Sequence, residues 1–232
     1  MLSTCPLCKA PLERGHAIAG ACPKGHRFWS PNDGPQRAFV SCPANECLYG
    51  GAAGGGKSAG LIALQTRWIH VSSFRAIIFR RQATQLPDLF DKAERTYPLA
   101  DAKARFNKTT RTWHFASGAT VRFAHLENEG DEAGHDGHEY QSVGFDELTH
   151  FTAKQYKALR ARLRSATPGL PRFARSTSNP GGVGAEWVIK RWAPWLDPEC
   201  SHPLLPPRAV RVEAATQAGP RRGRRSRLRA VP

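Results

Sequence analysis

The chain is 232 residues long, carries 34 lysines and arginines against 19 acidic residues, and has a formal net charge of +15 with a pI near 10.2. That length suits one medium domain with its own core plus an appendage, and a second full domain would be crowded. No apolar run is long enough to span a membrane and the N-terminus lacks the layout of a secretory signal, so a cytoplasmic setting is expected. The six cysteines then read as thiols or metal ligands rather than a disulfide framework.

The charge predicts a polyanionic partner, but it is uneven along the chain. Residues 201–232 hold eight arginines against one acid, Glu213, and so account for about half of the excess. At the other end, Cys5-Pro6-Leu7-Cys8 and Cys22-Pro23-Lys24-Gly25-His26 form two paired-ligand knuckles with the spacing C-x₂-C-x₁₃-C-x₃-H. Tetrahedral Zn²⁺ wants four such ligands, and about thirty residues with few large apolar side chains need the metal to fold. Cys5, Cys8, Cys22 and His26 are therefore expected to ligate zinc in a ribbon-like module over residues 1–30. Cys42 and Cys47 read as core or surface thiols. A turn-rich linker, 31–35, leads into the main domain at 36–198, and 199–232 reads as a disordered basic tail.

Within the main domain, Gly51-Ala52-Ala53-Gly54-Gly55-Gly56-Lys57-Ser58 satisfies G-x-x-x-x-G-K-[ST]. The glycines let backbone N–H groups turn onto the β- and γ-phosphates of a nucleotide, Lys57 adds charge, and the Ser58 hydroxyl is placed for Mg²⁺. The flanks fit: Glu46 to Tyr49 reads as a strand entering the loop, and Lys57 to His70 as the helix leaving it. Upstream, Gln36 is a candidate for the adenine edge, with an ordinary surface position as the alternative.

Arg75 to Arg81 is an apolar strand ending in two arginines, Arg80 and Arg81, placed either to bind a phosphate or simply to end the strand in solvent. Leu86 to Tyr97 is a helix closed by Pro98, and residues 111–115 and 120–123 form a hairpin. His125, His135 and His138 fall in an irregular stretch without metal-ligand spacing and are expected in solvent. Tyr140 to Glu147 is a strand ending in two acids. Asp146 is assigned to hold Mg²⁺ and Glu147 to polarise the attacking water. Thr152 to Gln155 is a capping box opening a helix whose end carries Arg160, Arg162 and Arg164. A strand over residues 172–177 leads to Ser178-Asn179-Pro180-Gly181-Gly182, where Asn179 either senses the γ-phosphate or sits in a plain turn.

Taken together, Pro35-Gln36, the segment Leu48 to Ser58, Ile78-Phe79-Arg80-Arg81, Gly144 to Phe151 and Ser178 to Gly182 resemble successive motifs of the ATPase half of tailed-phage terminase large subunits. The resemblance covers about residues 35–196. It implies an α/β P-loop NTPase fold of the additional-strand type with a mostly parallel sheet. It also implies ATP-driven translocation of double-stranded DNA into a procapsid, in a bacterial host's cytoplasm, by a ring assembled with the portal protein and the small terminase subunit. In that scheme the turn around Asn179 couples hydrolysis to movement, and an arginine finger from a neighbouring subunit completes the site. Arg80, Arg81 and Arg162 are its candidates.

Two features depart from the family. Its members continue into an RNase H-like nuclease for which little length remains, so no cleavage is expected from this chain. After Asp197-Pro198 the composition turns to Pro, Ala and Arg, as a frameshifted or truncated reading would produce. The zinc module is the second departure. The alternatives to a packaging ATPase are a helicase-like, DNA-dependent P-loop ATPase and an inactive zinc- and DNA-binding remnant.

Overall fold

A computed structural model describes Trp29 and residues 31–196. The zinc knuckles and the arginine-rich tail lie outside the described residues. The elements alternate: α1 (Pro35–Ser41), β1 (Glu46–Gly50), α2 (Lys57–Leu64), β2 (Arg75–Arg80), α3 (Leu86–Ala100), β3 (Arg105–Asn107), β4 (Thr112–His114), β5 (Thr120–His125), β6 (Ser142–Phe145), α4 (Ala153–Arg160), β7 (Phe173–Ser178) and α5 (Ala185–Leu196). They build a seven-stranded sheet in the order β1-β7-β6-β2-β5-β4-β3. The first five strands are parallel, and β4 and β3 add an antiparallel edge. β7 therefore stands between the loop strand β1 and the acid strand β6, the additional-strand arrangement of a P-loop fold.

Alternation along β2 explains the layers. Ala76 and Ile78 pack into one core with Phe39, Leu61, Ile62 and Leu89 of α1, α2 and α3, while Ile77 and Phe79 pack into the other with Phe145, Tyr156 and Val188. Buried on both faces, β2 needs the continuous apolar run that marks it in the sequence. β7 breaks that rule. All six of its residues are buried, yet four are Arg175, Ser176, Thr177 and Ser178. A central strand of such polarity calls for buried partners, and Thr177 finds one in Asp146, an acid of the site.

Local signals hold where the chemistry is local. The capping box forms, with Gln155 N donating to Thr152 Oγ1 at 3.2 Å and Thr152 N donating to Gln155 Oε1 at 3.3 Å. α1 starts on Pro35, the residue expected last in the linker. α2 is shorter than its apolar spacing suggests and tightens into a 3₁₀ turn over Gln65–Trp68. α3 runs through Pro98 because a proline in the last turn removes only one donor, and Asp101 N still closes on Tyr97 O at 2.9 Å. At the start of β1, Glu46 gathers Tyr156, Arg160 and Arg191, tying α4 and α5 to the sheet. Burial alone would raise the Glu46 carboxyl, and Arg191, Tyr156 and Arg160 override it and pull it down.

Besides these helix ends, the expected exposure of one histidine is corrected. His135 is not in solvent: it is 6% exposed, packs edge-on to Phe79 and lies 3.2 Å from the Tyr140 hydroxyl. Its stretch folds into a 3₁₀ turn over Asp131–His135 that turns the ring inward. Burial, with repulsion from Arg122, His138 and Arg162, lowers its pKa from 6.5 to about 4. As pH falls the unfolded chain takes the proton first, so the stability this neutral ring contributes is complete above pH 6.5 and is lost as pH falls from 6.5 towards 4. Thermal melts over that range should show the wild type losing more stability than His135→Gln. Parallel pH dependence in the two proteins would contradict the assignment.

Candidate active site

The loop after β1 is held in shape by two side chains from its surroundings. Gln36, 3% exposed, accepts from Asn32 N and donates through Nε2 to Gly56 O, both at 2.6 Å. Tyr49 donates its hydroxyl to Gly55 O at 2.8 Å. Gly56 caps α2 in the left-handed conformation, φ +68°, and a Cβ there would displace the Gln36 amide from its bond to the loop, so glycine is favoured. Ala52 to Gly55 remain exposed at the mouth of the loop. Both ends of the Gln36 amide are thus committed to backbone groups, one at the loop (Gly56) and one just before α1 (Asn32).

Lys57 opens α2 and lies under the loop, 7% exposed, its Nζ donating to Gly51 O at 3.1 Å and Ala52 O at 2.6 Å. Burial pulls its pKa down, and the carboxylates of Glu147 and Asp146 push back. The next residue reaches across the sheet. Ser58 Oγ donates to Asp146 Oδ1 at 2.9 Å, and Thr177 Oγ1, from the intervening β7, donates to the same oxygen at 2.5 Å. Asp146 is fully buried. Its other oxygen, Oδ2, has Arg80 Nε at 2.7 Å, but the two are not aligned as a hydrogen bond, and both atoms lack a hydrogen-bond partner.

These oxygens suit a hard divalent cation. A buried carboxylate oxygen without a donor, beside a serine hydroxyl, is a partial ligand set of the kind Mg²⁺ uses. Mg²⁺ takes one or two carboxylates and completes its shell with water and phosphate oxygens. Among the described residues no cluster of three or more His, Cys, Asp or Glu side chains could hold a metal by itself.

Glu147 follows with φ 60° and ψ 58°, a left-handed conformation that costs a non-glycine residue about 1–2 kcal/mol. Its carboxylate is gripped by one residue. Asn179 donates its backbone N to Oε2 at 3.0 Å and its Nδ2 to Oε1 at 2.7 Å, leaving its own Oδ1 buried and unpartnered. Beyond Glu147, residues 148–151 pack against the turn after β7. Ser178 Oγ donates to Thr149 Oγ1 at 2.9 Å, Gly184 N to Thr149 O at 2.7 Å, and Trp187 Nε1 to Phe151 O at 2.9 Å. A Cβ on Gly184 would collide with the Phe151 carbonyl, so this contact is glycine-dependent.

The structure thus brings together Lys57, Ser58, Arg80, Asp146, Glu147 and Asn179 at the carboxyl ends of β1, β2, β6 and β7. Two candidate arginines stand apart. Arg81 donates through Nη1 to Leu126 O at 2.7 Å and Gln155 Oε1 at 2.8 Å, which anchors α4 to the segment after β5. Arg162 pairs with Asp136, and its carbonyl accepts from Tyr140 N at the amino end of β6, the edge remote from Asp146. Sequence reasoning missed Tyr49 and Thr177. No local signal marks Thr177, because the central place of its strand between β1 and β6 is set by the sheet order.

The fold that carries this site is similar to the crystal structure of the HK97 bacteriophage large terminase, at TM-score 0.55 and 13% identity, over 78% of this chain and 40% of that chain. It is also similar to the structure of a large terminase from a thermophilic bacteriophage, at TM-score 0.51 and 13% identity, over 67% of this chain and 42% of that one. The chain therefore spans well under half the length of these terminases. No curated protein sequence matches it. The family model described as terminase large subunit, T4likevirus-type, N-terminal, matches residues 48–224, from the loop strand into the arginine-rich segment. The chain belongs to this family of terminase large subunits, within its N-terminal region.

Proposed function

We propose that the chain hydrolyses ATP as the engine of a viral DNA-packaging motor, driving double-stranded DNA into a procapsid. The observation that carries this reading is the Ser58–Asp146 hydrogen bond at 2.9 Å, which joins the phosphate loop to the acid strand across β7. In the proposed assembly the subunits form a ring with a portal protein and a small terminase subunit in the host cytoplasm, and the net positive charge of the chain supports the DNA contact. Among the described residues no helix is long and apolar enough to cross a membrane.

The residues divide the work. The backbone N–H groups of residues 51–58 receive the β- and γ-phosphates, and Lys57 exchanges the carbonyls of Gly51 and Ala52 for phosphate oxygens. Ser58 Oγ and Asp146 would hold Mg²⁺. When bound, the cation neutralises charge on the β- and γ-phosphates. Glu147 orients the attacking water and draws its proton. Asn179 positions Glu147 and, lying at the end of β7, links the state of the site to the turn that bears on residues 149–151. Arg80, already beside Asp146, supplies positive charge within the same subunit. Arg81 and Arg162 are left as candidates for a finger offered to a neighbour.

Purified full-length protein should turn over ATP in the presence of Mg²⁺, faster with double-stranded DNA. Lys57→Ala should lower hydrolysis by about a hundredfold or more. Glu147→Gln should bind nucleotide normally while losing hydrolysis by at least about a hundredfold. Turnover in both variants equal to the wild type would remove the mechanism.

We also propose that Cys5, Cys8, Cys22 and His26 bind zinc, on the strength of their spacing. Protein prepared without added chelator should carry about one zinc per chain, released on treatment with a strong chelator. Metal analysis giving far less than one would count against tetrahedral ligation.

A further inference from the structure

Near the loop strand β1 lies a group that the hydrolytic site does not use. Arg175, in the centre of β7, is 3% exposed. Its Nη1 and Nη2 donate to the carbonyls of Ala174, at 3.0 Å, and Cys42, at 2.7 Å, and its Nε has no partner. Among the described residues no carboxylate lies within ion-pair distance of it. A second guanidinium, Arg67, is bound to the neighbouring Val40 carbonyl and adds to the positive field. A buried arginine without a counter-anion is costly, so the question is what supplies the negative charge.

Two thiols are placed to do so. Cys47 is the direct register partner of Arg175 in the parallel β1–β7 ladder, so the two side chains rise from the same face of the sheet. Cys42 ends α1, with its carbonyl on the guanidinium. Both are free, and both are partly accessible. The neighbouring Cys47 thiol, then the Ala44 backbone and last the Arg175 charge lower Cys42 to about 6 against the burial that would raise it, and the Cys42 thiol together with burial pushes Cys47 up. One thiol is thus the anion and nucleophile, and its neighbour keeps its proton.

We propose that Cys42 and Cys47, both clustered on Arg175, form a peroxide-sensitive dithiol in which Cys42 attacks and Cys47 resolves the product as a disulfide. The Cys42 thiolate attacks one oxygen of hydrogen peroxide, the O–O bond breaks, and the departing hydroxide takes a proton to leave as water. Cys42 has then lost two electrons and stands as sulfenic acid. The Cys47 sulfur attacks the Cys42 sulfur, the S–S bond forms and the S–O bond breaks, and hydroxide leaves with the Cys47 proton as a second water. Two thiols and one peroxide give one disulfide and two waters. The bridge ties the end of α1 to β1, and α1 is the helix whose Gln36 holds the phosphate loop at Gly56.

Trypsin provides a direct readout, because cleavage after Arg37 and Lys57 releases one peptide, 38–57, that contains both cysteines and no others. Full-length protein is exposed to hydrogen peroxide, alkylated and digested. Peptide 38–57 should be unalkylated and lighter by two hydrogen atoms than the reduced peptide. In Cys47→Ser the peptide should instead trap dimedone at Cys42, and in Cys42→Ser the labelling of Cys47 should be slower by about tenfold or more. Recovery of the wild-type peptide with both thiols alkylated would overturn the proposal. So would dimedone labelling of Cys47 in Cys42→Ser at the rate seen for Cys42.

Discussion

A single buried carboxylate, that of Asp146, organises the molecule. It lies at the carboxyl end of β6 with no solvent exposure, and it is contacted from three other segments: Ser58 after the loop, Thr177 on β7 and Arg80 at the end of β2. Removing an ionised carboxylate from water costs several kcal/mol unless charge and hydrogen bonds replace the lost hydration. That constraint explains why otherwise apolar strands end in polar groups at one edge of the sheet. It also explains why the helix after the loop must begin where it does, since a one-residue slip would carry the Ser58 hydroxyl away from the acid.

The neighbouring Glu147 is under a different constraint. Its left-handed backbone aims the carboxylate away from the path of β6, and two hydrogen bonds from Asn179 hold it there. Because Asn179 begins the turn after β7, and that turn carries Gly184 onto the Thr149 carbonyl, any displacement of Glu147 bears on residues 149–151 and on the start of α5. The route from the chemical site to a helix of the opposite layer is therefore short and consists of direct contacts.

How much of this could be read from the chain depends on the range of the interaction. The loop and the capping box at Thr152 are set by residues a few positions apart, and their sequence signals are present in the structure. The pairing of Ser58 with Asp146 spans 88 residues, and no local pattern states it. What made it legible was two separated motifs of complementary chemistry. The role of Thr177 was hidden because a hydroxyl-rich segment resembles an edge strand or a turn until its neighbours are known. His135 misled for a related reason: an acidic, glycine-rich stretch reads as exposed, and only the 3₁₀ turn folds its ring against Phe79. The arginines were the least legible. Composition does not tell Arg80, drawn to Asp146, from Arg81, committed to Leu126 and Gln155.

Asp146 is proposed as the metal-bearing acid of an ATPase, in addition to the buried link between strands that it makes. Asp146→Asn keeps the shape and a hydrogen-bonding carbonyl oxygen for Ser58 and Thr177, and removes the charge. Steady-state ATP hydrolysis titrated with Mg²⁺ separates the two roles. The variant should remain folded and bind nucleotide, require far more Mg²⁺, and lose hydrolysis by about a hundredfold or more even when saturated. A folded Asp146→Asn protein with the wild-type Mg²⁺ dependence and turnover would contradict the metal-bearing role.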